Sequence, residues 1–340
     1  MYHPHSPKGW DLRYRPVSDS AETRGKRTLV PEVRSPTVRR RELGALLRAL
    51  RTQKGLTVEQ AADKLLCSPS KVSRMETGHG AATPRDIRDL CNLYDVTDQA
   101  ERDRLMSLAR DGKQTGWWQS YELEFSNYVG LEADATELRY YQSTIVPGLL
   151  QTADYARAMI EVTIPRLRPE RIDELLEVKM KRQLILKGDR PLRLWGILDE
   201  AALHRLVGGP AVMAAQLDRL IEVTSNPNIT IQVIPYEAGA HPAMDSTFNI
   251  LGFAGTVPGL VYVEGLVGWI YLDRRNDIER YQKVFEHLHA QALDPRASMK
   301  LIAKIGKSYS AYRLAYVLTL SRNLAVAIRA AGNLISSNRI

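Results

Sequence analysis

Between Thr57 and Arg74 lie the side chains best suited to chemistry, and what they offer is hydrogen bonding and charge. They are Thr57, Gln60, Ser68, Ser70, Lys71, Ser73 and Arg74. Hydroxyls and an amide donate and accept, the ammonium is a point charge, and the guanidinium presents a planar fork that pairs two acceptors at once. Such a set can bind a partner through hydrogen bonds and charge. The rest of the chain lacks the spacing that bond-making chemistry needs. The histidines are His3, His5, His79, His204, His241, His287 and His289. His287 and His289, two apart on a helix, point to different faces and make a poor metal pair. His241, beside Pro242 and near Asp245, reads as a hydrogen-bonding turn residue. Asp199 and Glu200 sit where a strand passes into a helix, which is a capping position. No Gly-Lys-Ser/Thr loop is present for nucleotide phosphates. The expectation is a protein that is not an enzyme and carries no cofactor or metal.

The elements that must position those side chains are short helices. From Val38 to Gly55, Leu43, Leu46, Leu47 and Leu50 fall at i, i+3, i+4 and i+7, one face of a helix that Gly55 stops. Thr57 and Gln60 have the form of a capping box, opening a second helix through Ala61, Ala62 and Leu65. Ser68-Pro69 opens a third, with Ser as N-cap and Pro in the first turn; it runs to Glu76, and Gly78 ends it. Two helices a short turn apart, with small residues where they cross, form a helix-turn-helix. Thr83-Pro84 begins a fourth helix to about Tyr94, and Asp98 caps a fifth from Gln99 to Arg110.

This segment resembles the XRE/Cro-like family of bacterial repressors. The resemblance rests on Gly55-Leu-Thr57, Ser68-Pro-Ser-Lys-Val-Ser-Arg-Met-Glu-Thr-Gly78 and the following Pro84. It implies that the N-terminal half of Ser68–Glu76 enters the major groove of DNA, with Ser70 and Arg74 at base-reading positions. Arg74 is the stronger reader, since a guanidinium spans guanine O6 and N7. Thr57, Ser68 and Lys71 then stand where the family contacts phosphate, helped by backbone amides at the helix N-termini. The resemblance also implies that Arg51 pairs with Glu76 to hold the fold. Many members begin the recognition helix with Gln; Pro69 and Ser70 stand there instead.

Composition fits two globular domains in 340 residues, with a net charge of +8. The charge is uneven: residues 38–116 carry +4, residues 1–37 +3 and residues 306–340 +5, leaving −4 for 117–305. The middle region is therefore not the polyanion surface. Cys67 and Cys91 read as small core residues in a reducing compartment. The polar N-terminus carries no leader pattern, and no apolar run is long enough to span a membrane, so a cytoplasmic protein is expected. The boundaries that follow are 1–37, a disordered basic extension; 38–114, the helix-turn-helix domain; 115–305, a second domain; and 306–340, a basic tail.

The second domain mixes helices and strands. Helical patterns cover Phe125 to Tyr140, Thr152 to Glu161 and Pro169 to Leu186. Strands are expected at Leu192–Leu198, Asn228–Ile234, Phe248–Phe253, Leu260–Glu264 and Gly268–Leu272, and a helix over Asp277–Leu293. Gly208-Gly209-Pro210 starts a helix with Leu217, Leu220 and Ile221 on one face. The strands do not read as repeated crossover units, so the fold class is an all-α five-helix domain followed by an α+β domain. Trp117, Trp118, Tyr121, Tyr140, Tyr141 and Tyr155 either line a ligand pocket or belong to the core.

Several stretches here are also similar to a known group: Val146-Pro-Gly-Leu-Leu-Gln-Thr-Ala-Asp-Tyr-Ala156, Leu198-Asp-Glu-Ala-Ala-Leu203, Ile231-Gln-Val-Ile-Pro235 and Val261-Tyr-Val-Glu264. With the N-terminal module they resemble antitoxin-like regulators of filamentous bacteria that join a helix-turn-helix to a domain of unknown function. The resemblance implies a transcriptional regulator of double-stranded DNA, controlled through its C-terminal domain by a small acidic protein encoded nearby; a homodimer is expected because one recognition helix reads only about 4–6 base pairs. Two other readings stay open: a small-molecule-sensing regulator, and an antitoxin whose DNA binding is autoregulatory.

Overall fold

A computed structural model describes residues 35–310, except 122, 124, 165, 256 and 267. Five helices build the N-terminal part: α1 Pro36–Gln53, α2 Val58–Lys64, α3 Pro69–Glu76, α4 Pro84–Leu93 and α5 Gln99–Asp111. Each opens on a side-chain N-cap: Ser35, Thr57, Ser68, Thr83 and Asp98. Leu43, Leu47, Ala61, Ala62, Val72, Met75, Ile87, Leu90 and Leu105 close one core between them. This is the all-α helix-turn-helix region expected from the sequence, and an α+β domain follows it.

A six-stranded sheet organises that second domain: β1 Ala135–Gln142, β2 Arg193–Asp199, β3 Ile229–Ile234, β4 Phe248–Phe253, β5 Leu260–Gly265 and β6 Gly268–Leu272, in the order β3-β2-β1-β4-β5-β6. β1, β2 and β3 are parallel; β4, β5 and β6 add antiparallel strands. The helices are α6 Ser126–Asp134, α7 Ala153–Thr163, α8 Pro169–Arg182, α9 Glu200–His204, α10 Pro210–Val223, α11 Arg275–Gln291 and α12 over 295–310. One sheet face carries Leu138, Tyr140, Leu194, Ile231 and Leu251 against α10 and α12. The other carries Tyr141, Ile197, Ile234, Phe248 and Val261 against Phe285 and Leu288 of α11.

Several sequence expectations change. The helical pattern over Phe125–Tyr140 ends at Asp134, and residues from Ala135 form the central strand β1. Leu138 and Tyr140 pack on one face and Tyr141 on the other, so both sides of β1 are buried and its polar-apolar alternation is lost. The strands also do contain crossover units: α7 and α8 link β1 to its parallel neighbour β2, and α9 and α10 link β2 to β3. Short helices in irregular pairs masked that period. The pairing of Tyr140 with Gly196 across β1 and β2 explains a glycine inside a strand. A Cβ on Gly196 would lie 2.2 Å from the Tyr140 ring.

Both expected boundaries shift. Residues 1–34 and 311–340 lie outside the described residues, but the chain is already packed at Ser35. Pro36, Thr37 and Val38, assigned with or beside the extension, are buried. Ser35-Pro36 repeats the Ser-Pro N-cap seen at Ser68-Pro69, so the signal was present. At the other end, α12 passes Ile305. Ile302 and Ile305 are core residues, and the Tyr309 hydroxyl donates to the carbonyls of Leu203 and His204 at 3.2 and 3.0 Å. Among the described residues no helix is long and apolar enough to cross a membrane.

Behind α6 a charged cluster is taken out of water. Arg182 donates from Nε and NH2 to the two carboxylate oxygens of Glu132 at 2.7 and 2.8 Å, with Glu132 only 2% exposed. Lys179, one turn earlier, has no such clamp. Burial pushes its ammonium down to about 8, with the Arg182 charge adding to the effect and Glu264 and Glu132 opposing it. An unfolded lysine keeps its proton up to about pH 10.4, so between about pH 8 and that value the unfolded chain binds more protons and stability rises with pH. Lys179→Met is therefore expected to raise stability at pH 7 by about 1–2 kcal/mol, the partly shielded charge being removed, and to flatten that rise. Chemical denaturation of both proteins from pH 7 to 10 measures this; parallel profiles would remove the buried charge as the cause.

Candidate nucleic-acid interface

The two helices of the motif meet on Ala61 and Ala62, both fully buried. Between them, Leu66 adopts a left-handed conformation, φ 51°, with its side chain 95% exposed. A turn position that glycine would fill without strain is held by leucine at a cost of about 1–2 kcal/mol. On α3, Val72, Met75 and Glu76 face inward, spaced i, i+3 and i+4. Ser70, Ser73 and Arg74 repeat that spacing on the opposite face, and all three are exposed. The Arg74 guanidinium makes no hydrogen bond or ion pair with the described residues, so its fork is available.

The other expected contact residues are partly committed to the fold. Thr57 Oγ1 accepts from the Gln60 amide at 3.2 Å, and Gln60 Oε1 accepts from the Thr57 amide at 2.9 Å, completing the capping box. The Ser68 hydroxyl accepts from the Lys71 amide at 3.2 Å. These arrangements leave the Ser68 hydroxyl proton and the Gln60 NH2 group to donate outward, while the Thr57 hydroxyl also hydrogen-bonds the Glu59 carboxylate. Lys71 is more constrained: its Nζ donates to Asp86 Oδ1 at 2.6 Å, and Asp86 also accepts from Thr83. The hydrogen bond to Asp86 raises the Lys71 pKa. Burial works to push Asp86 up, but the bonds from Lys71 and Thr83 outweigh it and leave the carboxyl below its usual range. Lys71 must share Asp86 to meet a phosphate. The sequence reading missed Asp86, whose Thr83-x-x-Asp86 spacing is itself a capping box.

What orients α3 is a pair of contacts with α1. Arg51 donates from Nε and NH2 to Glu76 Oε1 and Oε2 at 2.6 and 2.9 Å, and from NH1 to the Leu56 carbonyl at 2.7 Å. The Glu76 side chain is 3% exposed. The hydrogen bond to Glu76 holds the Arg51 guanidinium above its ordinary pKa, against the effect of burial. About two turns earlier on α1, Gly44 lets the helices touch: a Cβ there would stand 2.5 Å from the Glu76 carbonyl oxygen. Gly44 was not singled out by sequence, although a glycine inside an amphipathic helix is the signal of a close backbone approach.

The aromatic residues divide differently from a pocket lining. Trp118, Tyr140, Tyr141 and Tyr155 are buried core. Trp117 and Tyr121 stack edge to face, 6.1 Å apart, with Lys181 over the Trp117 ring at 4.5 Å. His241 is buried in its loop, its Nε2 3.1 Å from the Tyr141 hydroxyl and its Nδ1 accepting from the Ala243 amide at 3.3 Å. Among the described residues no group of three or more His, Cys, Asp or Glu side chains is placed to hold a metal.

Two family profiles match this chain. One, described as a helix-turn-helix domain, covers residues 42–105. The other, described as a domain of unknown function, DUF5753, covers residues 125–304. No curated protein and no solved structure matches.

The geometry of the α1–α3 clamp has a thermodynamic signature. Arg51→Ala leaves the buried Glu76 carboxylate without its two short hydrogen bonds and with only Arg48 at 3.7 Å, and should cost about 2–4 kcal/mol of stability. Glu76→Ala should cost less, and the double variant should fall short of the sum by about 1–3 kcal/mol. Denaturant titration of the four proteins checks this; additive losses would mean that the two side chains do not stabilise one another.

Proposed function

This chain belongs to the DUF5753 family and carries an N-terminal helix-turn-helix domain, and we propose that it is a sequence-specific transcriptional regulator of double-stranded DNA. The observation that carries this reading is the exposed face of α3. Ser70, Ser73 and Arg74 line it without internal partners to satisfy their side chains, while the opposite face is locked to α1 by Arg51 and Glu76. A rigid helix with a free guanidinium is what bidentate reading of guanine requires. Phosphate contacts from Thr57, Gln60, Ser68 and Lys71 would set the register without reading sequence. The role is one of binding, with no catalytic step and no cofactor, and its place is the cytoplasm.

The proposed regulator acts as a homodimer, because one recognition helix reads only about 4–6 base pairs, too few to specify a genomic site. Control by a small acidic protein is part of the proposal and rests on the sequence resemblance to antitoxin-like regulators. Of the other readings, a small-molecule sensor is favoured by one feature, a cavity between the two domains.

Selection of the intact protein on a pool of random duplexes tests the reading. One motif should be enriched. On that motif Arg74→Ala should lose about 1–3 kcal/mol of binding, with its affinity for random duplex nearly unchanged. An equal loss on both would make Arg74 a phosphate contact, and enrichment of no motif would remove sequence reading altogether.

A further inference from the structure

Arg41 is the least satisfied charged group of the joint. It projects from α1, and its side chain is only 9% exposed. Yet it makes no hydrogen bond to any described residue. Its Nε is buried without a partner. The nearest carboxylate, Asp273 after β6, stands 3.9 Å from NH1, beyond hydrogen-bond reach. Gly78 closes the other side: a Cβ there would lie 2.8 Å from the Arg41 Cγ. Burial lowers the Arg41 pKa, but a guanidinium keeps its proton inside proteins, so the group is a cation. A buried cation lacking its hydrogen bonds is costly, and native proteins seldom leave one so.

Beside Arg41 lies a cavity of about 480 Å³. Its walls come from both domains: Arg41, Ala45, Arg48 and Ala49 of α1, Thr77 at the end of α3, and Asp273 across the gap. The volume falls in the range of small-ligand sites, about 300–1,000 Å³. The wall has an apolar strip, Ala45 and Ala49 with Pro258, and a charged end. Of the two acids at that end, Glu76 is already clamped by Arg51, and Arg48 lies 3.7 Å from it, 46% exposed. The cationic capacity of Arg41 and Arg48 therefore exceeds what Asp273 can meet.

We propose that this cavity binds a small organic anion, a carboxylate or phosphate ester with a compact apolar body, whose charged end takes the open donors of Arg41 and Arg48 while its body lies on Ala45, Ala49 and Pro258. The occupant touches α1 and the end of the recognition helix on one side and the second domain on the other. It therefore reports on how α3 is held. The proposal is independent of the DNA reading, since its test measures small-molecule binding alone.

Benzoate and phenyl phosphate serve as probes, with benzyl alcohol as the neutral control, in calorimetric and NMR titrations of the full chain. Both anions should bind saturably, with an affinity at least about tenfold above benzyl alcohol, the worth of roughly one charge-assisted hydrogen bond. Arg41→Met should lose that preference. Ala49→Phe, a change at an exposed position that fills the cavity and leaves Arg41 in place, should abolish binding of both anions even if Arg41→Met fails to fold. The proposal is overturned if neither anion binds saturably, if the neutral control binds equally well, or if Ala49→Phe binds the anions as the wild type does.

Discussion

Helix α1 is a member of two cores at once, and the rest of the structure depends on that. Its first turn belongs to the second domain: the Ser35 hydroxyl donates to the Gly130 carbonyl at 2.7 Å, the Ser35 amide donates to Asp134, and Val38 lies in the core built around the sheet. Gly130 on α6 is shaped for this, since a Cβ there would stand 2.5 Å from the Thr37 hydroxyl. Two turns on, Leu43 and Leu47 belong to the helix-turn-helix core. A continuous helix cannot be bent cheaply between the two, because each broken turn forfeits backbone hydrogen bonds. The two domains accordingly lie within one compact unit.

That constraint passes to the recognition helix by short range. Gly44 brings α3 against α1, Arg51 fixes the end of α3 through Glu76, and Gly78, φ 73°, turns the chain back across Arg41. A second contact reaches from the sheet, where Tyr271 of β6 meets His79 edge to face at 6.3 Å. The polar face of α3 is thus presented by a frame built from both domains. Its side chains need no further support, which is why they are free to meet a partner.

How much of this was legible from residues alone follows the range of the interaction. The caps of α2, α3, α4 and α5 are local hydrogen bonds written in adjacent residues, and Thr57, Ser68, Thr83 and Asp98 announce them. The exposed face of α3 is equally local, a matter of i, i+3 and i+4 spacing. The Arg51–Glu76 contact spans 25 positions and was reached through resemblance, not through spacing. What stayed hidden was non-local. β1 reads as helix because a strand buried on both faces loses its alternation. Lys71 reads as a free cation because its partner, Asp86, lies on another helix. Arg41, in the run Arg39 to Arg41, gives no local sign of burial; only the fold sets Asp273 of the second domain against it. That Val38 packs in the core around the sheet is likewise non-local, although the Ser35-Pro36 cap that starts its helix is written in adjacent residues.

The central claim is that α1 welds the helix-turn-helix to the second domain. Native-state hydrogen exchange resolved by residue tests it most directly. If α1 serves both cores, its amides from Arg39 to Leu50 and those of α3 should exchange only through the same large opening that exposes β1, with matching free energies and matching denaturant dependence. If α1 and α3 exchange through a smaller opening while Leu138 to Tyr141 stay protected, the helix-turn-helix is a separately mobile domain and the account is wrong.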